Sequence, residues 1–100
     1  MADAYASGRW HVQPGKEEEF IARWREFLEW TQQHHPAMVD SSLLQEVTTS
    51  TEFVSFSEWK DAESRDQWKR DPGFAEKIGA CRELCERMVG KDYARVVRIP

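Results

Sequence analysis

One hundred residues are the length of a single domain, so residues 1–100 are expected to fold as one unit. With 40% apolar and 32% charged residues, five Gly and four Pro, the composition is that of a soluble globular protein, not a disordered or fibrous one. A net charge of −4, with the 14 Lys and Arg spread along the chain, argues against a nucleic-acid partner and against a polybasic membrane patch.

Tyr5–Val12, YASGRWHV, reads as a first strand. Its even positions (Ala6, Gly8, Trp10, Val12) are small or apolar, and its odd positions (Tyr5, Ser7, Arg9, His11) are polar or mixed. The turn QPG ends it. The segment KEEEFIARWREFLEWTQQ places Phe20, Ile21, Trp24, Phe27, Leu28 and Thr31 at three- and four-residue steps, which predicts one helical stripe. Glu17, Glu18 and Glu19 fall in its first turn, where the helix dipole favours negative charge. Pro36 stops the helix after His34 and His35, and Trp30 falls at the edge of the stripe.

SSLLQEVT (41–48) and EFVSFSEW (52–59) read as two strands joined by a short polar turn. In the second of these, Phe53, Ser55, Ser57 and Trp59 share one face, and Val54, Phe56 and Glu58 share the other. Both faces therefore carry large apolar groups. Asp61 is a fitting cap for a short helix through Arg70. Asp71-Pro72 restarts a helix, with Asp as cap and Pro in the first turn. Phe74, Ile78, Cys81, Cys85, Met88 and Val89 form its apolar stripe and Gly90 is the expected terminator. DYARVVRI is the expected last strand.

The order β-α-β-β-α-β, with the second helical region broken, is that of an α+β ferredoxin-like fold. Its four-stranded antiparallel sheet carries helices on one face. Strand positions that are apolar on both sides (Phe53 and Phe56, Leu43 and Leu44, Val96 and Val97) then leave a bare second face, which predicts a homodimer joined sheet to sheet. No stretch approaches the roughly 20 apolar residues of a membrane span, and the N-terminus lacks the apolar core of a secretory leader. A cytoplasmic location is the expectation.

The segment FVSFSEWKDAESRDQWKRDPGF resembles the antibiotic biosynthesis monooxygenase (ABM) domain: a strand ending in an acidic residue and Trp, a short helix with an aromatic, a Pro-containing break, and a longer helix. Val12–Phe20, in the pattern V-x-P-G-K-x-x-x-F, is similar as well. The resemblance implies a dimeric α+β barrel with a pocket between sheet and helices in each subunit. It implies oxidation of a quinol-like or polycyclic aromatic substrate by dioxygen without metal or organic cofactor. In the cofactor-free polyketide oxidases of this family, the strand Trp corresponds to Trp59. Their Asn and Tyr positions are held here by Ser55 and Arg65. In the haem-degrading branch, Trp68 matches the helix Trp, while the Asn and His positions hold Gly8 and Lys77, so the usual axial imidazole is missing.

Candidate catalytic residues are accordingly Ser55, Trp59, Arg65 and His11. Candidate substrate-binding residues are Trp68, Phe74, Ser57 and Trp24. Two inward hydroxyls, Ser55 and Ser57, are out of place in a dry core, because buried polar groups require partners. His11 is the one histidine within a strand and the natural acid–base candidate near neutral pH. His34 and His35 read as helix-end residues, and Cys81 and Cys85, four apart, as small buried hydrophobes one helical turn apart. No metal site, phosphate loop or catalytic triad is expected. The alternative to an oxygenase is a non-catalytic dimeric module of the same fold that binds a hydrophobic ligand or a partner protein.

Overall fold

The computed structural model describes residues 3–100. Its elements are β1 (Ala4–Val12), α1 (Glu17–His34), β2 (Met38–Gln45), β3 (Glu52–Trp59), α2 (Ala62–Arg70), α3 (Pro72–Arg82) and β4 (Cys85–Ala94). The strands form one antiparallel sheet in the order β2-β3-β1-β4, with the helices on one side, which is the ferredoxin-like arrangement.

Strand alternation divides the residues as expected. Ala4, Ala6, Trp10 and Val12 of β1, and Phe53, Ser55, Ser57 and Trp59 of β3, are buried beneath the helices. On α1 the buried set is Phe20, Trp24, Phe27 and Thr31, a four-three-four spacing that lines up on one face. The core is consequently a run of aromatic rings: Trp10 to Trp24 at 4.9 Å, Trp24 to Phe27 at 5.2 Å, Phe27 to Trp68 at 5.6 Å and Trp68 to Trp59 at 4.7 Å between centroids. Rings at these separations pack favourably in edge-on, tilted or offset-stacked geometries, beyond the area they bury.

The break in the second helical region comes from Asp71. Asp61 caps α2 by accepting from the Ser64 N–H (2.7 Å), and Asp71 caps α3 by accepting from the Gly73 N–H (2.9 Å). Trp30, at the edge of the α1 stripe, lies over this junction. A Cβ on Gly73 would come within 2.3 Å of its ring, so a glycine is needed for the approach. His35 also docks here, its Nε2 2.8 Å from Asp71 Oδ2. A carboxylate 36 residues away thus meets a histidine that has none at helical spacing.

The largest departure from expectation lies at the C-terminal end. α3 stops at Arg82, and Cys85, Met88, Val89 and Gly90 belong to β4 instead of continuing the helix. CERMV is rich in helix formers, but pairing with β1 along its whole length satisfies a full strand of backbone groups and overrides local preference. Gly90 is therefore mid-strand opposite Gly8, not a helix terminator. The two cysteines sit on different elements, Cys85 Sγ donating weakly to the Cys81 carbonyl (3.5 Å). Val96 and Val97 lie beyond the end of β4. β2 likewise begins three residues earlier than its apolar run suggests, because the turn after Pro36 delivers Met38 directly beside Trp59.

Candidate active site

Between the sheet and the helices lies a cavity of about 290 Å³. Its aromatic walls are Trp10, Trp24, Phe27, Trp68 and Phe74, and Ser55 and Ser57 of β3 also line it. The volume is at the low end for small-molecule pockets, which run from roughly 300 to 1,000 Å³ and are mostly apolar with few polar groups. Among the described residues, no carboxylate or imidazole lines it; the charged lining residues are Lys69, Arg82 and Lys91.

The two serines are held in the same way. Trp10 Nε1 donates to Ser55 Oγ at 3.0 Å, and Trp59 Nε1 donates to Ser57 Oγ at 2.9 Å. Both serines are only 6% exposed. The first contact depends on Gly8, which pairs with Ser55 across β1 and β3. A Cβ there would stand 2.5 Å from Trp10 Nε1 and 3.0 Å from Ser55 Oγ. A third indole is anchored on α1: Trp68 Nε1 donates to Thr31 Oγ1 (3.1 Å), which itself donates to the Phe27 carbonyl (2.8 Å). Trp24 is the exception, since its buried Nε1 has no partner among the described residues. Its ring stands between this cavity and a second, more open one of about 430 Å³ between α1 and β2.

Five of the eight sequence candidates therefore meet at one cavity: Trp24, Ser55, Ser57, Trp68 and Phe74. Trp59 stands behind them, fully buried, touching the Trp68 ring and bonding Ser57. Arg65 is turned elsewhere. Its Nη1 donates to the Tyr5 carbonyl (3.2 Å) and its Nε to Asp66 (3.2 Å), tying α2 to β1. His11 is on the opposite face of the sheet, with Nδ1 against Glu52 and Nε2 3.0 Å from Glu86 Oε1, which links β3, β1 and β4.

Sequence reading missed the indole donors. Parity groups Trp10 with the small and apolar positions of β1, but the facing of Gly8 and Ser55 that lets its N–H reach the hydroxyl emerges only from the strand register. Gly90 and Met88 of β4 also line the cavity and were hidden by the helical reading of that segment.

The thiols of Cys81 and Cys85 are pushed up by burial, to about 12 and about 11. Among the described residues, no cluster of His, Cys, Asp and Glu side chains could hold a metal ion, and no helix is long and apolar enough to cross a membrane.

The outer face of the sheet carries Leu44, Phe56, Val89 and Tyr93, each roughly half exposed. Around them are Arg9 and the His11–Glu52–Glu86 group.

Among solved structures, the fold is similar to that of a point mutant of SnoaB, a cofactor-independent oxygenase from Streptomyces nogalater. The TM-score is 0.91 at 20% identity, covering 100% of this chain and 99% of that one. It is also similar to a conserved protein from Methanosarcina mazei Go1, with TM-score 0.82 and 24% identity over 93% and 92% of the two chains. No curated protein matches the sequence. At these identities the structures establish the fold alone, whereas the family model for antibiotic biosynthesis monooxygenase matches residues 4–78, three quarters of the chain. With strand order, helix break and cavity all in place around that match, the chain belongs to the antibiotic biosynthesis monooxygenase family.

Proposed function

We propose that this protein is a cytoplasmic, homodimeric monooxygenase in which residues 1–100 act as one domain. It oxidises a small quinol-like or polycyclic aromatic substrate with dioxygen and needs no cofactor. The observation that carries this reading is the cavity itself: an aromatic-walled space with two buried hydroxyls fixed by indole N–H groups. Family membership supports the reaction class.

The chemistry starts from an ionised substrate. Loss of a proton to solvent from an activated ring carbon or its hydroxyl leaves a delocalised anion, and that anion passes one electron to dioxygen. Collapse of the radical pair makes a carbon–oxygen bond, and the peroxide anion takes a proton back from solvent. Loss of water from the resulting hydroperoxide leaves a carbonyl, so one oxygen atom enters the product and the other leaves as water. A hydroxyl hydrogen from Ser55 or Ser57 stabilises the charge on the substrate oxygen, in a site where water is scarce and such bonds are strong. Trp24, Trp68 and Phe74 hold the flat ring, and Trp59 sets the orientation of Ser57. Arg65 and His11 hold strands and helix in place from outside the cavity. The half-exposed Leu44, Phe56, Val89 and Tyr93 support a second copy docking on the outer face.

The test is oxygen uptake with a panel of hydroquinones and anthrones. Turnover by the native protein is expected to fall about 10²-fold in Ser55→Ala, the scale of losing one oxyanion donor. Ligand binding with no uptake across the panel would instead identify a non-catalytic binding module, and sedimentation as a lone monomer at micromolar concentration would remove the dimer.

A further inference from the structure

Ser55 and Ser57 are two residues apart on one face of β3, which separates them by about 7 Å along the strand. Each oxygen accepts an N–H from a different tryptophan, Trp10 or Trp59, and both of these rings are 2% exposed or less. A serine oxygen that accepts one bond still has one hydrogen to give. Among the described residues, neither hydroxyl hydrogen has an acceptor within the chain. Two buried donors left unmatched in an apolar cavity are costly unless something else accepts from them. The indoles also restrict where those hydrogens point, because the lone pair facing each indole is already occupied.

We propose that the two serines act as a two-point donor pair, binding the ligand through two acceptor oxygens on opposite sides of one ring system. That selects 1,4-dioxygenated aromatics, quinols and their quinones, over monophenols. Para oxygens are the farthest apart on one ring and come nearest to the serine spacing, oxygens on alternate ring carbons fit it less well, and those on neighbouring carbons fall far short of it. Ser57 thereby becomes a specificity determinant equal to Ser55, with Trp10 and Trp59 as their positioning residues. This inference rests on the cavity being the aromatic-ligand site proposed above, and adds which oxygen pattern it reads.

The test is anaerobic calorimetric titration with 1-naphthol, 1,4-dihydroxynaphthalene and 1,3-dihydroxynaphthalene. One further hydrogen bond corresponds to about fivefold in affinity, so the native protein should bind the 1,4-diol about fivefold more tightly than the other two. In Ser55→Ala and in Ser57→Ala that ratio should fall to near one. Because the ratio is taken within each variant, general loosening of the site moves all three ligands and leaves it unchanged. Should Ser55→Ala fail to fold, Ser57→Ala carries the test alone. Equal binding of all three by the native protein would overturn the two-point pairing while leaving the cavity reading intact. Retention of the preference in both variants would show that other groups read the oxygens. No binding of any naphthol would refute the cavity reading, and this inference with it.

Discussion

Gly8 and Gly90 face each other across β1 and β4, yet alanine should have opposite effects at the two positions. At Gly8 the new methyl would sit 2.5 Å from Trp10 Nε1 and 3.0 Å from both Trp10 Cε2 and Ser55 Oγ. Trp10 is buried against Phe20 and Trp24, and a shift of its ring toward the cavity it lines would break its bond to Ser55. Forcing a methyl into a packed core costs about 1–3 kcal/mol. Breaking the Trp10–Ser55 bond adds about 1 kcal/mol. Replacing glycine inside a strand returns about 0.5–1 kcal/mol. The net expectation for Gly8→Ala is a loss of about 2 kcal/mol, a large part of the 5–15 kcal/mol typical of a whole domain. At Gly90 the nearest atoms would be Met88 Cε at 3.7 Å and the Ser7 carbonyl oxygen at 3.9 Å, both ordinary contacts. Gly90→Ala should therefore be neutral or gain up to about 1 kcal/mol. Urea unfolding followed by tryptophan fluorescence measures both. The melting temperature of Gly8→Ala should drop by about 8–16 °C, since 1 kcal/mol corresponds to about 4–8 °C at this size. Equal stability of the two alanine variants would refute the steric argument, as would a Gly8→Ala protein as stable as the native one.

Three further outcomes are expected. Thr31→Val removes the acceptor for the Trp68 N–H and should cost about 1–3 kcal/mol in urea unfolding, with most of the loss restored in Thr31→Ser. Because burial raises Cys81 to about 12 and Cys85 to about 11, both thiols should react with a disulfide reagent at pH 7.5 far more slowly than a free cysteine. Their neutral forms are favoured in the fold, so this contribution is complete below the ordinary thiol range and fades as pH climbs through the raised values; faster labelling than a model thiol would contradict it. The Asp71 carboxyl is held below the usual range by the Gly73 N–H and then by His35. Its stabilising effect is therefore present above the ordinary carboxylate range and lost as pH falls through the lowered value. Asp71→Ala should melt below the native protein at neutral pH, and the two melting curves should converge in acid.

Alternation makes much of the site legible in the sequence alone. A two-residue period on β1 and β3 was enough to send Trp10, Ser55, Ser57 and Trp59 to one face, and a three-to-four period sent Trp24 and Phe27 to meet them. What alternation cannot supply is register, and register is what brings Gly8 beside Ser55 and frees the path of the indole N–H. The C-terminal third misled for a different reason. Cys81, Cys85, Met88 and Val89 fit a helical stripe, and only competition from the open edge of β1 turns residues 85–94 into a strand. The His35–Asp71 contact was out of reach because the partners are 36 residues apart and meet through the turn after α1 and the cap of α3.

The rings around the cavity are also the rings that hold the molecule together, which couples occupancy to folding. A chain this short has one interior, and here that interior is partly hollow. A guest that fits replaces missing contacts at the centre of the fold, so binding should register as heat resistance, growing with the logarithm of free ligand above its dissociation constant. The same coupling limits divergence: enlarging the hollow for a bulkier guest erodes stability at the same step, and a relative with a larger substrate would need compensating contacts elsewhere.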